Sequence, residues 1–261
     1  MNGLALCAGY GGLELGIEQV LDQYRTICYV EGESFAASHL VKKMEEGNLD
    51  QAPIWSNIKT FNGDHWSGKV DIITGGFPCQ PYSSAGNLLG ADDPRDLWWD
   101  VARIIGEVRP GFIFLENVPN IVKFRLSEIV LDLDKLGYNV AWCVMEASRV
   151  GAPHRRKRWF LLGILNNTNP HDSIKRPNCR PIQQKNRNNV SGLGKKYHGS
   201  GFEYTWEIEP SMGRMVDGAT NWVDKLRLLG NGVVPQQAAY AFQILGERLA
   251  AGIVEKRTPR D

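Results

Sequence analysis

The chain has few cysteines and no close pair among them. Cys7, Cys28, Cys79, Cys143 and Cys179 are odd in number and scattered over 261 residues, and no CxxC occurs. That pattern argues against a disulfide framework and against a zinc site, and it suits a reducing compartment. An excess of charge is missing too. Thirty Lys and Arg against 29 Asp and Glu leave a net charge of +1, so any surface that attracts a polyanion must be local. No apolar run approaches the roughly 18 residues that a membrane-spanning helix needs. The opening "MNGLALCAGYGG" lacks the basic n-region and long apolar h-region of a secretory signal. No internal repeat is visible. These absences predict a soluble cytoplasmic protein, with no metal and no membrane partner, acting as a monomer.

What is present is 43% hydrophobic residues, enough for one large domain or one domain with a small appendage. "LALCAGYGGLELGIEQVL" reads as strand, tight turn and helix, with Leu13, Ile17 and Val20 on one helical face. "RTICYVEGES" supplies a second strand ending in an acid, and "FAASHLVKKMEEG" a second helix stopped by Gly47. "VDIITGGF" and "GFIFLENV" are uniformly apolar runs suited to strands covered on both faces. "DLWWDVARIIGEVRP" and "RLSEIVLDLDKLGY" carry helical periodicity, and "NVAWCVMEA" and "RWFLLGIL" read as two further strands. Strands alternating with helices predict an α/β fold with a doubly wound, mostly parallel sheet.

The alternation stops near residue 165. From 166 to about 215 the text is polar and rich in Asn, Pro and Gly, with seven Lys or Arg between 171 and 200 and a single acid, Asp172. It is either a solvated insert or a basic segment that contacts phosphates. "VDKLRLLGNGVVPQQAAYAFQILGERLA" then resumes an ordered pattern with a Gly-Asn-Gly turn and a long helix. The expected organisation is a catalytic and cofactor-binding domain at 1–165, a recognition insert at 166–215, and a segment at 216–261 that returns to the first domain.

Four local patterns carry chemistry. Gly9, Gly11 and Gly12 at a strand-to-helix turn let a ligand approach the backbone, and Glu31 at the end of the next strand can accept hydrogen bonds from both ribose hydroxyls. The spacing departs from GxGxxG, which favours a nucleoside cofactor without phosphates; glycines serving the turn alone are the competing explanation. Cys79, in "GGFPCQPYS", differs from Cys28 and Cys143, which sit within apolar runs and read as core. Pro78 and Pro81 stiffen its loop at a strand's carboxyl end, where open α/β sheets bind ligands. Glu116, in "LENV", would lie beside Cys79 if the two strands are neighbours, and a partly desolvated carboxyl can donate a proton. Arg156 and Arg158, in "HRRKRW", alternate onto one side of an extended segment, where they suit phosphate or carbonyl oxygens. A charged strand edge that resists aggregation is the alternative.

In order, "CAGYGG", Glu-Gly-Glu at 31–33, "GGFPCQPYS", "ENV", "HRRKR" and "LGNGVVPQ" resemble the motif set of the DNA cytosine-5 methyltransferases, over nearly the whole chain outside the insert. Short chains of this kind resemble phage-type members. The resemblance implies a Rossmann-like fold that uses S-adenosyl-L-methionine and acts on double-stranded DNA. It implies that Cys79 is the nucleophile, that Glu116 holds the base at N3, and that Arg156 and Arg158 lie near the flipped base and the cysteine. Gly9, Gly11, Gly12 and Glu31 would form the cofactor loop and ribose contact, Asn57 and Leu97 the adenine side, and Asn231 a further cofactor contact. The recognition region would fall on the insert, and a cognate restriction endonuclease is a partner such an enzyme can have.

The chain also departs from the pattern. Asn57 stands where the family has an aspartate, Cys7 in place of a phenylalanine, Gly32 where some members place a tryptophan, His154 in place of glutamine, and Gly232 in place of serine or alanine. The arginine-rich motif that usually follows the recognition region has no clear counterpart. Two other readings keep the fold. One is methylation of RNA, although the Cys-Phe-Thr signature of the tRNA-methylating branch is absent; the other is a DNA-binding relative without catalysis, against which Cys79, Glu116 and Arg156 all stand.

Overall fold

The computed structural model describes residues 1–78, 96–166 and 232–254. Cys79, Asn231 and all of the expected insert beyond residue 166 lie outside them. Strand β1 (Asn2–Leu6) runs through the Gly-rich turn into helix α1 (Gly12–Glu18), and β2 (Arg25–Val30) is followed by α2 (Ser34–Glu45) and a two-residue edge strand β3 (Ile54–Trp55). Then come β4 (Ile72–Gly75), α3 (Trp98–Val108), β5 (Phe112–Asn117), the short α4 (Ile121–Phe124) and α5 (Leu126–Lys135). A hairpin of β6 (Tyr138–Glu146) and β7 (Lys157–Leu165) follows, and α6 (Pro235–Ala250) is the last described helix.

The seven strands form one sheet in the order β3-β2-β1-β4-β5-β7-β6. The pairs from β3 across to β5 are parallel, while β7 is antiparallel to both β5 and β6. This is the doubly wound, mostly parallel sheet that the alternation predicts. Its one reversal lies between β6 and β7, where residues 147–156 hold only a short 3-10 turn (Ala147–Val150) and make a return in place of a crossover. Strands β4 and β5 are buried at every residue, as strands covered on both faces must be.

The helices follow from their apolar faces. Trp98, Val101, Ile104, Ile105 and Val108 of α3 are all buried, a stripe at helical spacing, and the helix ends at Arg109 in a left-handed conformation just before Pro110. Helix α6 opens on Pro235, whose missing N–H costs nothing at a first-turn position. It lies so close to α1 that a side chain at Gly16 would meet the Pro235 carbonyl at 2.6 Å. Leu13 and Ile17 of α1 are buried as predicted, and Val20 is buried just past the helix end. Of the cysteines read as core, Cys28 is buried, but Cys143 is only half-buried. It lies on β6 at the margin of the α6 cluster, where the strand's side chains are less completely covered. Among the described residues, no helix is long and apolar enough to cross a membrane, and no group of three His, Cys, Asp or Glu could hold a metal ion.

One buried acid has a measurable consequence. Glu14 of α1 is 1% exposed, and the Thr74 hydroxyl donates to its Oε1 at 2.6 Å. Burial raises its pKa, and the Thr74 hydrogen bond opposes this only in part. A carboxyl whose folded pKa lies above its unfolded one contributes stability that is fully present below the unfolded value and lost as pH rises through the folded value. Glu14→Gln keeps the shape and cannot ionise. It should melt a few degrees above the parent chain at pH 8 and close to it at pH 5; parallel melting curves across that range would refute the assignment.

Candidate active site

The chemistry-bearing residues gather at the carboxyl ends of β1, β2, β4 and β5. Parallel pairing of β4 with β5, with Gly75 opposite Leu115, brings Glu116 over Gly76, where an added Cβ would lie 3.4 Å from its Oε2. Gly76 is three residues before Cys79. The next residue, Asn117, is buried and donates from Nδ2 to the Phe77 carbonyl at 2.9 Å, while its Oδ1 accepts the Val118 N–H at 2.8 Å. Asn117 therefore fixes the backbone two residues ahead of Cys79. Its signal in the sequence is a second polar side chain, after Glu116, at the end of an otherwise apolar strand.

Glu116 is buried, and Arg158 Nε meets its Oε1 at 2.9 Å. Burial pushes the carboxyl up to about 7, while Arg158 first and then Arg156 pull it down. Desolvation outweighs two guanidinium groups, so the acid is poised to hold or release a proton near neutrality. The two arginines do not alternate along one unbroken extended strand, since β7 begins at Lys157, between them. Arg156 has a positive φ of 30° just before β7 begins, and its Nε and Nη2 both donate to the Gly232 carbonyl, Nε at 3.1 Å. It thus ties the start of β7 to the segment returning after residue 231, and it remains close enough to act electrostatically on Glu116.

Two further residues, unassigned from sequence, complete that tie. The Tyr10 hydroxyl donates to the Val233 carbonyl, and Gln237, fully buried, donates to the Met145 and Arg156 carbonyls at 2.8 and 3.0 Å. A Cβ on Gly232 would overlap the Tyr10 ring at 1.9 Å. The family departure at 232 thereby has a physical reason, since Tyr10 fills the space that a serine or alanine side chain would take.

On the side expected to take a nucleoside, Glu31 Oε2 accepts the Gly9 N–H and Oε1 the Glu33 N–H, both at 2.8 Å. Each oxygen keeps a second lone pair, the donor-poor set that two ribose hydroxyls require. Gly9 and Gly11 have φ of 57° and 82°, a conformation that glycine adopts without strain, and the space beside Gly9 is open. Gly12 packs against Tyr10 and the Val233 carbonyl. Asn57 caps a short 3-10 turn by accepting the Lys59 N–H at 3.0 Å; its Oδ1 retains a lone pair for an amine. Leu97, at the N-cap of α3, is partly buried against the cluster that also holds Val30 and Phe61. These residues fit a phosphate-free nucleoside. Cys7, with a φ of 50°, packs against the same cluster, and burial raises its thiol pKa first and the nearby Glu31 second.

The family described as C-5 cytosine-specific DNA methylase matches residues 1–242. The type II methyltransferase M.CviJI of Paramecium bursaria Chlorella virus IL3A is 28% identical over 241 residues, which cover 92% of this chain and 58% of that protein. M.PspPI, a type II methyltransferase of Psychrobacter sp. (strain TA137), is 35% identical over 165 residues, 61% of this chain and 38% of that protein. A solved variant of DNMT2 from Spodoptera frugiperda shares the fold with a TM-score of 0.52 at 22% identity, over 64% of this chain and 50% of the other. The chain thus spans between 38 and 58% of the length of these curated relatives.

Proposed function

The chain belongs to the C-5 cytosine-specific DNA methylase family, and from that premise we infer that it methylates C5 of cytosine within a specific sequence of duplex DNA. The observation that carries this reading is the buried Glu116, paired with Arg158 and standing over the glycine that leads to Cys79. Gly9, Gly11, Gly12, Glu31, Asn57, Leu97 and Asn231 would hold S-adenosyl-L-methionine, which would supply an electrophilic methyl group on a sulfonium.

The rest is the work of the chain's own residues. C5 of cytosine is not nucleophilic. Addition of the Cys79 thiolate to C6, with a proton delivered to N3 by Glu116, converts C5 into an enamine carbon that can accept the methyl group. Loss of the C5 proton to solvent, return of the N3 proton to Glu116 and expulsion of the Cys79 thiolate then restore the aromatic ring. Arg158 holds the Glu116 carboxyl in place through the Nε contact, and Arg156 anchors the returning segment beside it. Reaching C6 requires the base to leave the duplex stack, and the insert at 166–215 carries the sequence readout. The names of the relatives, type II methyltransferases, support a modification role alongside a restriction endonuclease.

A trapping experiment tests substrate and mechanism together. Fluorine at C5 cannot leave as a cation, so a random duplex library carrying 5-fluorocytosine, given S-adenosyl-L-methionine, should leave an adduct that survives denaturing electrophoresis and maps to the peptide containing Cys79. Sequencing of the trapped strands would reveal the recognition site. An adduct with fluorinated tRNA and none with DNA would move the substrate to RNA. No adduct with either, from a folded chain that binds S-adenosylhomocysteine, would defeat the C5 assignment.

A further inference from the structure

Trp55 ends β3 at the nucleoside edge, where its carbonyl accepts the Glu31 N–H at 2.9 Å. Its side chain is 47% exposed, yet it is pinned. The indole Nε1 donates to the Asn57 carbonyl at 3.0 Å and to the Thr60 hydroxyl at 3.2 Å, and the ring stands edge-on to Phe61 with centroids 6.1 Å apart at 81°. The segment beneath is fastened in turn. Arg103 of α3 donates to the Ile58 and Phe61 carbonyls, both at 2.9 Å, and Glu107 accepts the Gly63 N–H at 2.7 Å. Ordering a large aromatic side chain costs conformational entropy that burial ordinarily offsets; here about half the ring is held in place and left open.

Register places that ring. Val30 pairs with Trp55, so Trp55 lies on the face of Val30, the face against which Cys7 and Leu97 also pack. Cys7 and Gly32 offer no ring: Cys7 is small, and Gly32 lies against the Ser56 carbonyl, 3.2 Å from where its Cβ would be. A fixed, half-open indole thus stands beside Glu31, whose N–H its carbonyl accepts, and beside Asn57, whose carbonyl its Nε1 meets.

The geometry points to Trp55 as an aromatic wall of the nucleoside site, its indole stacking on the purine while Glu31 holds the ribose and Asn57 the exocyclic amine. This rests on the nucleoside-cofactor reading above. An indole face is suited to a flat heteroaromatic ring, and the hydrogen bonds of Nε1 with the T-shaped contact to Phe61 hold this ring in place.

The test is calorimetric titration of the whole chain with S-adenosylhomocysteine and with 5′-methylthioadenosine, which share only the adenosine and its sulfur. Trp55→Ala should weaken both by the same factor, about tenfold, and Trp55→Phe should recover most of the loss. Quenching of tryptophan fluorescence on binding should shrink in Trp55→Phe, a signal that a purely structural role would not move. Thermal melting reports whether each variant is folded. Binding within about twofold of the parent in Trp55→Ala overturns the assignment, as does a loss that follows the melting temperature and is not recovered by phenylalanine. A parent chain that binds neither probe defeats the cofactor reading itself, and this inference with it.

Discussion

Replacing Cys79 by serine is expected to abolish methyl transfer while leaving folding and cofactor binding intact. A hydroxyl ionises far above neutral pH and is a much weaker nucleophile than a thiolate, so the addition to C6 fails at its first bond. Removal of a covalent nucleophile should take kcat below about one thousandth of the parent value. Binding of S-adenosylhomocysteine should not change, because the residues that fit the nucleoside are Glu31, Asn57 and the Gly9 turn, on other strands. Cys28→Ser is the control. Cys28 is buried on β2, so serine there places a hydroxyl in the core and should cost about 1–3 kcal/mol of stability, with specific activity retained in whatever fraction stays folded. Turnover by Cys79→Ser within tenfold of the parent would remove Cys79 from the mechanism.

The burial of Cys28 was legible in the sequence, because it depends on local grammar. Cys28 sits within "TICYV" and Cys79 between prolines past the end of "DIIT". The same grammar predicts the strand-helix alternation, whereas the pairing of β4 with β5, on which the placing of Glu116 beside the Cys79 loop was conditional, is a finding of the structure and puts Glu116 over Gly76. What was not legible depends on contacts between distant segments. The two-residue β3 is too short for a period to register, yet it carries Trp55. Arg156 reads as a contact to phosphate or carbonyl oxygens, and nothing local reveals that the carbonyl it holds belongs to Gly232, 76 residues away. The Tyr10 and Gly232 pair is likewise visible only once residues 222 positions apart share one volume. Asn117 and Gln237 belong to the same class: each satisfies backbone groups of another segment, and such partners are set by the fold rather than by their neighbours in the chain.

Glu116→Gln should lower kcat by about a hundredfold or more, the range expected for loss of a positioned general acid, and it should also change the shape of two pH profiles. Glutamine can accept the Arg158 hydrogen bond but has no proton to give N3. In the parent chain the carboxyl is pushed up from 4.5 to about 7 by burial, so the acid form is lost as pH rises through that value. The parent kcat/KM should therefore have a descending limb near pH 7, which Glu116→Gln should lack while keeping the ascending limb due to the Cys79 thiol. Stability follows the same sign. A folded pKa near 7 against 4.5 unfolded means that the contribution of Glu116 is fully present below about 4.5 and lost through about 7. The parent melting temperature should fall between pH 5 and pH 8 by more than that of the variant, after allowance for Glu14, which titrates in both. The variant should nonetheless melt lower at pH 8, because Arg158, only 11% exposed, then keeps its charge without a carboxylate beside it. A descending limb that survives in Glu116→Gln would assign the proton to another group and leave Glu116 as the structural partner of Arg158.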